Sequence, residues 1–135
     1  MRYFGDSSAW IALFDKDDKY HRRAEAWARS IQGQGHLFFT TDYVLDEAIT
    51  HLQSTVNHAT AEDCADWVLK QRHLQVVHIT EEIWDEALAL FRKYDDKDFS
   101  FTDCTSFVVM QQHKLRDVFG FDHHFEQMNF RLWPK

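Results

Sequence analysis

Glycine occurs only four times in this 135-residue chain, and proline once. A sandwich or barrel built from many tightly turned short strands needs more of both, so helices joined by short connections are expected instead. Two cysteines, Cys64 and Cys104, cannot make a disulfide framework. Each falls inside an apolar helical pattern and reads as a buried thiol. No stretch approaches the length needed to span a bilayer, and no basic segment followed by an apolar run opens the chain. A protein of the reducing cytoplasm with no membrane partner is the expectation. Positive charge is in deficit, with 15 Lys and Arg against 22 Asp and Glu and a net charge of −7. This counts against a simple nucleic-acid coat protein, which would be basic. It does not count against a metal nuclease, whose carboxylates attract cations that reverse the local sign.

Apolar mass, by contrast, is ample: 44% of residues are hydrophobic and 16% aromatic. That suffices for a core without staples, and the length suits a single domain over residues 1–135. No repeat, linker or low-complexity segment interrupts it.

Along the chain, strands alternate with helices. Arg2-Tyr3-Phe4 reads as a strand ending at Asp6, with a short buried helix over Ala9–Phe14. Asp17 or Asp18 can cap the next helix. That helix, over Lys19–Gln32, carries Tyr20, Ala24, Trp27, Ala28 and Ile31 on one face and stops at Gly33. His36–Thr40 is a continuous apolar run suited to a central parallel strand. Thr41 or Asp42 caps a helix burying Leu45, Ala48, Ile49 and Leu52, with Glu47 off that stripe. Thr60 is read as the cap of a helix with Ala61, Ala65, Val68 and Leu69 inward. Leu74–Ile79 follows as a strand. Thr80 then caps a helix with Ile83, Ala87, Leu90, Phe91 and Tyr94 on one side. Ser100 and Asp103 are spaced as a capping box opening a helix to about Lys114. Asp117–Phe121 is a strand, His124–Met128 a helical turn, and Phe130–Trp133 a last short strand. The pattern predicts an α/β domain with a mainly parallel central sheet and helices on both faces.

Asp6 and Asp122 fall at the carboxyl ends of predicted strands, and Glu47 and Asp103 near the starts of helices. All four are therefore expected on the one rim of the sheet where α/β folds bind ligands. Alone, each has a simple structural excuse as a cap, a turn residue or a solvated charge. Together they form a cluster whose mutual repulsion would raise its proton affinity unless hard divalent cations relieved it. The chemistry expected of such a site is in-line hydrolysis of a phosphodiester by metal-activated water, with no covalent intermediate. Ser7 and Thr102 are candidate donors to these carboxylates, and His21 a brace for the loop after the first helix. His123 and His124 lack a zinc-site pattern and read as surface or phosphate-contacting residues. Lys16, Lys19, Arg22, Arg23 and Arg29 form the one basic concentration, near the strand bearing Asp6. A solvated helix face explains it most simply, and contact with an RNA backbone is the functional alternative.

At these residues the sequence resembles PIN-domain ribonucleases, and more narrowly the VapC-type toxins of toxin–antitoxin pairs. Asp6-Ser7-Ser8-Ala9 is similar to the family's opening Asp-(Ser/Thr)-Ser, and Asp15–Ala24 with His21 to its Asp-x-x-His-x-x-Ala loop. Thr41–Glu47 resembles the segment supplying a Glu. Phe99–Phe107 resembles Ser-Phe-x-Asp-(Ala/Cys)-x-Ser-Phe, and Phe119–Phe125 the closing Phe-x-Phe-Asp-x-x-Phe. The resemblance spans nearly the whole chain, and its specificity lies in the ordered set. It implies a PIN-like three-layer α/β/α sandwich. It further implies a Mg²⁺- or Mn²⁺-dependent endoribonuclease with Asp6, Glu47, Asp103 and Asp122 as catalytic, metal-binding quartet, and Asp96 as an accessory acid. A homodimer, a small antitoxin protein and a structured RNA substrate are the implied partners. The alternatives are an RNA-processing or turnover nuclease without an antitoxin, and a non-catalytic binding module on the same fold. Gly5 departs from the family pattern, which has an aliphatic residue there; looser backbone before Asp6 is the expected consequence.

Overall fold

A computed structural model describes the whole chain, Met1–Lys135. Five strands, β1 (Arg2–Gly5), β2 (Leu37–Thr41), β3 (Leu74–Val77), β4 (Asp117–Phe119) and β5 (Arg131–Trp133), form one sheet in the order β3-β2-β1-β4-β5. Every pairing is parallel, so the sheet is wholly rather than mainly parallel. Helices α1 (Ser7–Phe14) and α2 (His21–Ile31) connect β1 to β2, and α3 (Asp42–Thr55) and α4 (His58–Lys70) connect β2 to β3. The chain then crosses back through α5 (Glu81–Lys93) and α6 (Phe101–Gln112) to β4, and α7 (His124–Gln127) leads to β5. The direction of travel across the sheet thus reverses once, beside β1. Right-handed crossovers consequently put helices on both faces. The reversal opens a crevice at the carboxyl ends of β1 and β4.

Local chemistry sets the helix starts. Thr41, Thr80 and Ser100 accept backbone N–H bonds from Val44, Ile83 and Asp103 at 3.0, 3.2 and 3.0 Å. Each such cap contributes about 1 kcal/mol. The Ser100–Asp103 capping box is complete, because Asp103 Oδ2 also accepts from Ser100 N at 3.1 Å. Two expected caps differ. Asn57, not Thr60, caps α4, by accepting from Thr60 N at 2.7 Å. Neither Asp17 nor Asp18 caps α2, whose Tyr20 N-cap makes no side-chain bond; Asp18 closes the preceding turn onto Tyr20 N instead.

The core lies between the sheet and the helices around Phe4, Trp10, Phe107, Phe119 and Phe125, all essentially fully buried. Helix α6 is buried continuously from Asp103 to Met110, as a helix sheathed by its neighbours must be. Leu69 and Phe91, expected inward, are 70% and 45% exposed. Each is adjacent to positions that fill the apolar stripe, Val68 and Leu90, and helical periodicity alone does not separate such neighbours. Gly5 does not loosen the backbone. A Cβ there would sit 2.1 Å from Trp10 Cζ2, so the indole occupies the space that a side chain at residue 5 would take.

Candidate active site

Asp6 follows β1 and is the N-cap of α1, only 3% exposed. Its backbone N–H donates to Phe119 O at 3.0 Å, which welds it to β4. Its carboxylate accepts from Ser8 twice, from the hydroxyl at 2.6 Å and the backbone N–H at 3.2 Å. The Ser8 hydroxyl in turn accepts from Phe121 N at 2.9 Å. Ser8 therefore links the loops after β1 and β4, a role not read from the sequence, although Ser two residues after Asp is a familiar local hydrogen-bonding pattern. Ser7, expected as a donor, donates to Glu47 Oε1. Thr102 makes no such side-chain bond; only its carbonyl is engaged, by Thr105.

Asp103 is held in the first turn of α6, 6% exposed. Asp122 lies in the loop between β4 and α7, past the end of a strand that stops at Phe119 rather than Phe121, and caps the N–H of His124 at 2.9 Å. His124 is not a surface residue. Its Nδ1 is 2.9 Å from Asp103 Oδ2 and 3.3 Å from Asp122 Oδ1, and its ring packs edge-on against Phe99. Asp122, His123 and His124 can also bring one ligand atom each within 4.8 Å of the others. The tight spacing of three consecutive potential ligands was the signal available in the sequence. His21 bridges the first two helices as expected, with Nδ1 bonded to Ala12 O at 2.7 Å.

The electrostatics show that the four acids share one place. Burial raises Asp6 to about 7, aided by the charges of Asp103 and Asp122 and opposed by the Ser8 bonds. Burial likewise raises Glu47; the Ser7 bond opposes this, while the charges of Asp103, Asp122 and Asp46 add to it. Burial raises Asp103 too, with Asp122 adding and the Ser100 N–H and His124 opposing. Asp6, Glu47, Asp103 and Asp122 thus come from four separate segments to one rim, at the crevice beside β1 and β4. Asp96 is exposed after α5, 3.7 Å from Lys97, and its charge is not among those that raise Asp6, Glu47 or Asp103.

The donor set is oxygen-rich, partly buried and short of protein cations, with ion pairs only to the two histidines. This suits a hard divalent cation. The cysteines offer nothing here: both are buried, with thiols pushed up to about 11.

A family profile described as the PIN domain matches residues 3–131. The chain belongs to the PIN-domain family. Its PIN domain is 29% identical over 128 residues to the 23S rRNA-specific endonuclease VapC20 of Mycobacterium tuberculosis, with 94% of each chain covered. It is 25% identical over 122 residues to a VapC ribonuclease of Archaeoglobus fulgidus, covering 89% of this chain and 76% of the other. The crystal structure of M. tuberculosis VapC20, described as a sarcin–ricin loop cleaving toxin, superposes with a TM-score of 0.87 at 28% identity over 95% of each chain. VapBC2 from Rickettsia felis, bound to a promoter DNA fragment, shares the fold at a TM-score of 0.70 and 10% identity, with 98% and 97% of the chains covered. The VapC-type resemblance and the PIN-like sandwich read from the motifs are borne out.

Proposed function

We propose that residues 1–135 act as one PIN domain that hydrolyses RNA internally. The protein is a VapC-type endoribonuclease, the toxin of a toxin–antitoxin pair. Asp6, Glu47, Asp103 and Asp122 hold the catalytic Mg²⁺ or Mn²⁺. The observation that supports this most strongly is geometric: Ser8 ties Asp6 to the loop that carries Asp122, Ser7 holds Glu47 beside them, and His124 sits 2.9 Å from Asp103 and 3.3 Å from Asp122, with no Lys or Arg paired to any of the four. Metal dependence is general among VapC-type PIN nucleases. A cation bound there lowers the pKa of a coordinated water and stabilises charge on the phosphate and leaving oxygen.

The chain's own residues do the positioning. Ser8 fixes Asp6, Ser7 fixes Glu47, and His124 holds Asp103 against Asp122. The Ser7 and Ser8 hydroxyls are bonded to carboxylates and Cys104 is buried, so these three are engaged in structure rather than poised as nucleophiles. Direct attack by water fits such a site.

By kinship with VapC20, the substrate class is a structured ribosomal RNA, with the sarcin–ricin loop the first target to test. A cytoplasmic site of action, a small antitoxin protein and a homodimer belong to the same reading. Exposed Trp84 and Phe91, packed against Phe101 at 5.2 and 6.2 Å, support a protein partner on the α5–α6 face.

Expression of the chain beside an Asp6→Asn variant tests this reading. The parent should arrest growth and, purified with Mg²⁺ or Mn²⁺, cut ribosomal RNA, while Asp6→Asn should do neither. Equal behaviour of the two would overturn it. Cleavage without growth arrest would point to an RNA-processing nuclease.

A further inference from the structure

The carboxylate rim repels RNA, and the chain as a whole carries a charge of −7, so a substrate strand needs a positive surface beside the site. Lys16, Lys19, Arg22 and Arg23 make no ion pair, unlike Arg29, which lies 3.4 Å from Glu25. All four are exposed. Of the acids in the same loop, Asp15 and Asp18 are turned to backbone N–H groups, accepting from Asp17 N and Tyr20 N at 2.9 Å each. The first turn of α2 itself carries no acidic residue; the one carboxylate at that helix end is Asp18, on the N–H of the Tyr20 N-cap.

A second observation connects this basic turn to the site. Tyr20 and Phe121 stack with centroids 4.4 Å apart and planes 4° from parallel. Near-parallel rings at this centroid separation fit the offset stacking that aromatic pairs prefer. Cations flank this one. Arg23 Cζ is 5.5 Å from the Phe121 centroid and 5.8 Å from that of Tyr20, and Lys19 Nζ is 4.8 Å over Tyr20. Phe121 immediately precedes Asp122, and its N–H bonds the Ser8 hydroxyl that holds Asp6. The stack therefore fixes the start of α2 at the edge of the carboxylate cluster.

We propose that Lys19, Arg22 and Arg23, mounted on the Tyr20–Phe121 stack, form the shelf that binds RNA phosphates next to the scissile one. Arg23 is the residue shared between phosphate contact and the aromatic platform. Proteins that hold single-stranded or looped RNA combine cations with aromatic faces in this way. The inference rests on the ribonuclease reading of the site and adds where the strand lies.

The test uses Lys19→Gln/Arg22→Gln/Arg23→Gln and the single Arg23→Gln, with Arg72→Gln, an exposed arginine just before β3, as the single-charge control. Thermal unfolding checks that each variant is folded. Binding is measured in the Asp6→Asn background to a sarcin–ricin-loop hairpin and to a scrambled hairpin of equal length, across KCl concentrations. The triple variant should bind both hairpins about tenfold more weakly, with a log Kd against log salt slope shallower by about 2, as loss of three single-strand phosphate contacts requires. With Asp6 intact, KM should rise about tenfold and kcat change little. Arg72→Gln should match the parent. An unchanged slope and KM in the triple variant, or an effect of Arg72→Gln equal to that of Arg23→Gln, overturns the shelf. Failure of the parent to cut any RNA overturns the ribonuclease reading instead, and the binding arm still judges the shelf.

Discussion

The imidazole of His124 and the carboxylate of Asp103 meet at 2.9 Å, Nδ1 to Oδ2, deep in the rim of the sheet. The same nitrogen is 3.3 Å from Asp122. His124 is one of the groups that hold down the proton affinity of Asp103 against its burial. Replacing it with Gln removes that support. At pH 6.5 the apparent Kd for Mg²⁺ or Mn²⁺ should rise about tenfold, within the range found when the residues supporting a metal ligand are removed. At pH 8.5 the deficit should shrink, because a higher pH favours the ionised Asp103 in either protein. Metal titration followed by intrinsic fluorescence at the two pH values measures both; an equal deficit at each would refute the charge argument.

Asp6 is raised to about 7 in the fold from an ordinary value of 3.8. A raised carboxyl favours the folded state fully below its unfolded pKa, and that contribution disappears as pH climbs through the folded value. In EDTA, stability should fall by a few kcal/mol between about pH 4 and pH 7. Asp6→Asn should flatten that decline and unfold at a higher temperature than the parent at pH 8, while abolishing cleavage. Added metal should stabilise the parent more at pH 8 than at pH 5, because a protonated Asp6 cannot ligate. Melting curves with and without Mg²⁺ follow each sign.

Gly5→Ala places a methyl 2.1 Å from the Trp10 indole, which is itself 1% exposed and bonded to Thr40 Oγ1 at 3.2 Å. Overpacking of this kind costs about 3 kcal/mol, or roughly 10 °C in melting temperature for a domain of this size. In a Trp10→Leu background the same substitution should cost under about 1 kcal/mol. Additive losses would show that the clash is not the cause.

Ser106 Oγ is the one buried side-chain polar atom without a hydrogen-bond partner. Ser106→Ala should therefore stabilise the fold by about 1 kcal/mol, through relief of an unsatisfied hydroxyl in a mid-helix position where Ala is also the better helix former. Denaturant unfolding at constant m-value reads this directly. A loss of stability would mean that the hydroxyl is bonded in solution.

The ordered acidic motifs, the strand–helix alternation and the Ser100–Asp103 box are local patterns. Periodicity, capping chemistry and spacing therefore determined the α/β class and the parallel sheet, and the ordered resemblance to the family pointed to the four carboxylates. Other features depend on which surfaces meet. Sequence showed a glycine before Asp6 but not the indole that demands it, because residue 5 and Trp10 approach only once α1 folds back over β1. It showed two histidines after Asp122 but not that His124 turns inward to Asp103, since those residues lie 21 positions apart and meet only when α6 and the β4–α7 loop converge. Ser8 reached Phe121 across 113 positions for the same reason. Asp96, placed with the acids by resemblance, lies exposed beside Lys97 after α5. The chemistry of each residue was legible in the chain, and the pairings that tune it arose from the reversal of strand order beside β1.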